Sequence, residues 1–213
     1  MAVSLYFGLP GCGKTSLLVE MAISELNLMH LGKSRYSCIV TNVPIRSEGV
    51  YFVNDFSWLG KYDFRNALCL IDEASLEFDN RDHKSFSFEN KLFFLMHRHF
   101  KVDICLFVQQ WDAVDKKIRV ITDRVYYVHK GAIFKKLSYV NRIPYGIIIP
   151  DKKDTNSDKY GEIAQGYHRG SIFQRMFSKR LWRPVVYPYY DSFYTPSLPP
   201  LPKTLLREFK ATD

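Results

Sequence analysis

No apolar run in this 213-residue chain approaches the roughly 20 residues that a membrane-crossing helix needs; Ile104-Cys105-Leu106-Phe107-Val108 is typical of its hydrophobic stretches. No membrane span of its own is therefore expected. The N-terminus leads at once into a strand-like run, Ala2-Val3-Ser4-Leu5-Tyr6-Phe7, so no signal peptide is expected. Cysteine is scarce too. The four thiols, Cys12, Cys38, Cys69 and Cys105, show neither metal-ligand spacing nor the layout of a secreted disulfide protein, so reduced, buried thiols and a cytoplasmic setting are expected. Acidic charge is also short, leaving a net charge of +8. The shortage is local: Lys130 to Arg183 holds 12 Lys and Arg against 4 Asp and Glu, and the rest of the chain balances. Such a segment suits nucleic acid, anionic lipid or an acidic partner, with a plain solvated face as the alternative.

Against these absences stands one dense motif. Gly8-Leu9-Pro10-Gly11-Cys12-Gly13-Lys14-Thr15 satisfies the phosphate-loop pattern G-x-x-x-x-G-K-[ST] at every fixed position. It follows the strand-like run and precedes helical apolar spacing at Leu17, Leu18, Met21, Ala22, Leu26 and Leu28. Strand, glycine-rich loop and helix is the order the chemistry requires. The glycines let main-chain amides close on phosphate oxygens, the helix start adds its positive end, Lys14 reaches the terminal phosphates and Thr15 holds magnesium. Gly8, Leu9, Pro10, Gly11, Cys12, Gly13, Lys14, Thr15 and Ser16 are thus the candidate nucleotide-binding residues, with ATP and Mg2+ as the expected cofactors.

A second element completes the pattern. Ala67-Leu68-Cys69-Leu70-Ile71 delivers Asp72-Glu73 at its carboxyl end. With a phosphate loop upstream, Asp72 is assigned to magnesium and Glu73 to activation of the attacking water, although two acids capping a helix would read the same way. The apolar run Val102 to Val108 ends in Gln109-Gln110, whose amide is placed to hold that water; Gln109 is preferred and Gln110 stays open. Both loop and acids are expected to meet one polyphosphate from adjacent strand tips. The run Phe86 to Phe100 reads as a helix ending in His97-Arg98-His99, a cationic end that suits the helix dipole and whose histidines do not share a face for a metal. Arg81, in the polar patch after the acids, reads as a solvated loop residue, with a neighbouring subunit or a phosphate as the alternative partner.

Five strands are expected, at about 2 to 7, 37 to 43, 67 to 71, 102 to 108 and 124 to 129, separated by helices. The expected fold is α/β: a P-loop NTPase with a mainly parallel five-stranded sheet, RecA-like and of the additional-strand type, plus a small C-terminal β-rich extension. In domain terms, residues 1–130 form the core, 131–183 a basic β-rich extension and 184–213 a Pro/Tyr-rich arm. Within the extension, Ala132 to Lys136, Ser138 to Arg142 and Tyr145 to Ile149 are expected as an antiparallel meander on the sheet edge, Asp151 to Tyr160 as a flexible loop and Phe173 to Arg183 as a helical turn. The arm, Pro184 to Pro202, is expected to lie extended on the domain or on a partner.

The succession Gly8 to Thr15, Leu70-Ile71-Asp72-Glu73-Ala74, His97-Arg98-His99, Asp103-Ile104 leading to Gln109, and Ile118-Arg119 resembles the zonular occludens toxin family over about residues 1 to 130. The resemblance implies an ATPase, shared with the assembly protein of filamentous phages, that drives assembly and extrusion of single-stranded DNA phage at the inner face of the host membrane. It further implies a homo-oligomer, with Arg98 or Arg119 as candidate arginines acting on a neighbour's γ-phosphate; ordinary salt bridging is the competing role for each. Partners implied are single-stranded DNA or a phage DNA–protein complex. Family members typically carry a membrane span after this domain, so a membrane-anchored assembly partner, a shortened chain or a different nucleic-acid step is expected here. No counterpart of a toxin region is visible. Two other functions fit the motifs: a nucleotide-switched single-stranded nucleic-acid binding protein, and a small-molecule kinase, against which the absence of an Arg-rich lid counts.

Overall fold

The computed structural model describes residues 1–54, 56, 59–62, 65–78, 88–143 and 178–191. Strand β1 (Val3–Phe7) leads to helix α1 (Lys14–His30), then β2 (Cys38–Thr41), β3 (Val50–Phe52), β4 (Ala67–Ile71), the short α2 (Ala74–Glu77), α3 (Phe88–Met96), β5 (Asp103–Val108), α4 (Lys116–Ile121), β6 (Arg124–Lys130), β7 (Leu137–Ile143) and β8 (Lys179–Trp182). One eight-stranded sheet runs in the order β3-β2-β4-β5-β1-β6-β7-β8. The first six strands are mutually parallel and the last two antiparallel.

The central strands are covered on both faces, which is why they read as unbroken apolar runs. Every residue of β4 and of β5 is buried. On one face Leu17, Leu18, Ala22 and Leu26 of α1 pack on Tyr6, Ile39, Leu70 and Phe107. On the other, Phe93 and Phe94 of α3 and Ile118 of α4 pack with Phe78 on Leu5, Ile71, Ile104 and Leu106. Phe94 meets Phe78 edge to face at 5.3 Å. The four cysteines are free, three of them buried, and burial pushes the Cys105 thiol up to about 12.

All five expected core strands form. The sheet is wider than five strands because β3 adds one edge and β7 and β8 the other. Ala132 to Lys136 is an exposed turn and no strand: Gly131 and Leu137 close it through a 2.8 Å main-chain bond, with two lysines facing water. Lys179–Trp182, expected within a helical turn, is a strand, because Leu181 inserts into the α1 face of the core while its neighbours stay exposed. The chain then makes two 3-10 turns, Arg183–Val185 and Tyr187–Tyr189, each with a proline early in the turn, where its fixed φ costs nothing. The described part of the expected arm lies on the domain, with Val186 and Tyr190 buried and Tyr190 bridged to Ile45. Arg81, Tyr145 to Ile149, Asp151 to Tyr160 and residues beyond 191 lie outside the described residues, as does most of the basic segment.

Phe94→Ala removes a ring that is 1% exposed and packed on two other rings. We expect a stability loss of roughly 3–5 kcal/mol, measured by urea denaturation; a loss below about 1 kcal/mol would show that α3 is not part of the cooperative core.

Candidate phosphate-binding site

The loop after β1 is wedged between the tips of two neighbouring strands. Gly8 donates its amide to the Val108 carbonyl of β5 at 3.3 Å, and a Cβ at Gly8 would stand 2.1 Å from the Val128 oxygen of β6. No other residue fits there. Gly11 and Gly13 take φ of 66° and 98°, the left-handed region that glycine enters without strain. Gly13 is also the N-cap of α1, and no side chain caps that helix start; the first intrahelical bond runs from the Leu17 amide to the Gly13 oxygen at 2.9 Å. The amides of the first turn therefore point at the loop with the positive end of a 17-residue helix behind them. Lys14, only 6% exposed, donates its Nζ to the Gly8 carbonyl at 2.9 Å and more distantly to that of Leu9.

The acids arrive from β4. Thr15 Oγ1 donates to Asp72 Oδ2 at 2.6 Å, joining the start of α1 to the end of a strand 57 residues later. The expectation that loop and acids sit on adjacent strand tips is corrected: β5 runs between β1 and β4. That intervening strand brings Gln109 to the site, where its Nε2 donates to Glu73 Oε1 at 3.2 Å. Of the two amides left open by the sequence, Gln109 is the one that meets the acid. Glu73 adopts φ 44° and ψ 45°, an uncommon conformation for a residue with a Cβ, and its amide donates to Asp72 Oδ1 at 3.1 Å. Burial raises the Asp72 carboxyl above its ordinary value, with the Thr15 hydroxyl opposing part of the rise.

Four residues of the site escaped the sequence reading. Asn42, just past β2, accepts from the Asp72 amide at 2.8 Å and donates to the Asp72 carbonyl at 2.9 Å, a two-point clamp that fixes the acid's backbone. An amide directly after a β-branched strand was the available signal. Ser138 on β7 donates to the Cys12 carbonyl at 2.6 Å. Arg183 donates to the Gly11 carbonyl at 3.2 Å and also to the carbonyls of Lys135 and Lys136. The Ser16 hydroxyl and the Tyr190 phenol share a buried 2.7 Å bond. The last three come from 120 or more residues downstream and have no local signature. The two candidate arginines lie elsewhere: Arg98 pairs with Asp123 at 2.7 Å at the amino end of β6, and Arg119 is half-buried on α4. His97 turns inward, its Nδ1 2.7 Å from the Phe94 carbonyl.

The donor set suits a small hard cation, since Thr15 offers a hydroxyl and Asp72 a carboxylate. Among the described residues no group of three or more His, Cys, Asp and Glu is arranged to hold a metal, so such an ion would arrive with phosphate oxygens completing its shell.

Comparison with known proteins bears on this geometry. The sequence model of the family described as zonular occludens toxin (Zot) matches residues 47–157, a span that contains the acids and Gln109 and begins after the loop. The loop is thus read from its own letters and shape. No curated protein matches the chain. Among solved structures, the N-terminal domain of zonular occludens toxin from Neisseria meningitidis is similar at 17% identity, covering 89% of this chain and 98% of that one with a TM-score of 0.58. The genome packaging NTPase B204 from Sulfolobus turreted icosahedral virus 2, in complex with ATP-gammaS, aligns at 11% identity over 66% of this chain and 91% of that one, with a TM-score of 0.47. The fold is that of P-loop NTPases. No helix among the described residues is long and apolar enough to cross a membrane.

Asp72 also sets a pH dependence. A carboxyl whose folded-state pKa is raised binds its proton more tightly in the fold. Its contribution to stability is full below the unfolded value of about 4 and is lost as pH rises through the folded value. Asp72→Asn lacks this titration. Urea denaturation of both proteins across pH is therefore expected to shift in favour of the variant from about pH 3 toward neutrality; parallel profiles would contradict burial as the dominant influence on Asp72.

Proposed function

The chain belongs to the zonular occludens toxin family, and from that premise and the site above we propose that it is a magnesium-dependent ATP hydrolase driving assembly, extrusion or packaging of phage or plasmid DNA. The observation that carries the hydrolase reading is the 2.6 Å bond between Thr15 and Asp72, which brings the two halves of a nucleotide site onto one point.

In this reading the loop amides and the start of α1 bind the phosphates, and Lys14 exchanges the Gly8 carbonyl for the terminal phosphates. Thr15 and Asp72 are the residues that would hold magnesium, which when bound supplies charge neutralisation at the β- and γ-oxygens. Glu73, oriented by Gln109, accepts a proton from a water whose oxygen bonds to the γ-phosphorus. The bond from that phosphorus to the bridging oxygen breaks, leaving ADP and inorganic phosphate. Asn42 and the Asp72 main chain keep the acids from drifting.

The reading extends to a homo-oligomer in which Arg98 or Arg119 of one copy approaches the γ-phosphate of the next, Arg98 first leaving Asp123. It also extends to single-stranded DNA or a phage DNA–protein complex as the load, with a membrane-anchored assembly partner at the inner face of the host membrane.

Phosphate release from ATP tests the proposal. Lys14→Ala is expected to abolish turnover. Glu73→Gln is expected to keep ATP affinity while slowing turnover by about 10²–10⁴-fold. Normal hydrolysis by Lys14→Ala would refute the proposal.

A further inference from the structure

The β6–β7 hairpin projects beyond the end of β1. Tyr127 is level with Phe7, the last residue of β1, and β6 continues to Lys130 before the chain turns back. At the tip Ile133 is 86% exposed and Phe134 61%, and neither joins the core. Trp182 of β8, half exposed, stands opposite Leu137 at the base of the turn, and Val185, 65% exposed, follows two residues after Arg183. Cations surround these side chains. Lys130, Lys135 and Lys136 are exposed, and among the described residues no acid pairs with any of them. Residues 124–143 and 178–190 together hold eight Lys and Arg and no Asp or Glu. Much of the turn's main chain is bonded internally. The Gly131 amide donates to the Leu137 carbonyl at 2.8 Å, the Leu137 amide to the Phe134 carbonyl at 2.9 Å, and the Arg183 side chain to the carbonyls of Lys135 and Lys136.

We propose that this tip docks on the headgroup region of an anionic lipid bilayer, with Ile133, Phe134 and Trp182 entering the interface while Lys135 and Lys136 meet lipid phosphates. The inference does not depend on the nucleotide reading above. Peripheral attachment draws on inserted apolar area together with attraction between basic side chains and anionic lipid, and a single turn here supplies both. Adjacent Ile and Phe at the end of a projecting turn form an apolar patch that water alone disfavours. Backbone groups that approach an apolar layer must be satisfied from within, which the Gly131–Leu137 closure and the Arg183 clamp accomplish. Trp182 suits the headgroup level, where an apolar ring with one polar N–H is at home. Charge selects the occupant. A surface without acids is drawn to an anionic bilayer and repels a second copy of itself. Ile133 and Val185, the most exposed of the apolar side chains at this end, offer no π face to a base, which favours lipid over nucleic acid.

Co-sedimentation of the whole chain with vesicles tests the inference, using phosphatidylcholine alone or mixed equally with phosphatidylglycerol. No nucleotide is added, so the outcome is independent of whether the chain hydrolyses ATP. Native protein is expected to bind the mixed vesicles, and the neutral ones roughly tenfold or more weakly. Ile133→Ser combined with Phe134→Ser is expected to weaken binding to mixed vesicles by roughly tenfold or more. Lys135→Gln combined with Lys136→Gln is expected to cost roughly fivefold for each lysine, a loss that fades at high salt. Brominated lipid in the mixed vesicles gives a second reading that leaves the turn intact: it is expected to quench tryptophan emission in native protein, and Trp182→Phe to remove that quenching. Absence of binding to either vesicle overturns the inference, as does equal binding to both or quenching undiminished in Trp182→Phe. Normal vesicle binding by the Ile133→Ser and Phe134→Ser double variant also overturns it; if that variant has lost single-stranded DNA binding instead, the tip belongs to nucleic acid.

Discussion

The Thr15 hydroxyl reaching the Asp72 carboxylate is the contact on which the rest of the arrangement depends. It exists because parallel strands end together. β5 serves as the common ruler: Phe7 of β1 is level with Val108, and Ile71 of β4 with Leu106. Asp72 therefore follows one residue step, about 3.3 Å, short of the last residue of β1. A shift of β4 by one residue would carry Asp72 to the wrong height and turn its side chain to the other face. The buried runs of β4 and β5 oppose such a slip, since every residue on both faces is already packed.

The site itself works against stability. Lys14 is buried, Asp72 is held where burial disfavours its charge, and Glu73 occupies a left-handed backbone conformation. Each is offset by neighbours that have no chemical role. Asn42 satisfies the Asp72 backbone at both groups, and the loop carbonyls receive Lys14 Nζ, Ser138 Oγ and Arg183 Nη1. The phosphate loop is thus braced from the far end of the chain. Strands β7 and β8 with the turns after them form a strap over the α1 face, fastened at Ser16 by Tyr190 and at Glu20 by a 2.6 Å ion pair with Lys179. Ser138 and Arg183 tie this strap directly to the loop carbonyls of Cys12 and Gly11.

The strand cores and the loop were legible because their causes are local. Buried parallel strands must be apolar on both faces, and the phosphate loop needs glycine where φ is positive or a Cβ would strike Val128. The acid pair and Gln109 were legible from their places directly after such runs. Lys179–Trp182 was misread because Leu181, flanked by Arg180 and Trp182, carries no period; only its place opposite Ser138 on β7 and its burial with Val140 make it a strand. Ser138, Arg183 and Tyr190 were missed for a related reason. Their roles are set by carbonyls and hydroxyls that meet them only after the sheet has formed, and no neighbouring residue announces the pairing. The order of the strands, with β5 between loop and acids, likewise belongs to tertiary packing and not to any one segment.

In the proposed function Thr15 and Asp72 act as one unit toward magnesium-bound nucleotide. A double-mutant cycle on Thr15→Val and Asp72→Asn, read as the Mg-ATP dissociation constant at fixed ionic strength, tests it most directly. Strong non-additivity is expected, with a coupling of about 0.5–3 kcal/mol, because either change alone dismantles the shared site. Losses that simply add would mean that the two side chains touch without forming a joint binding centre.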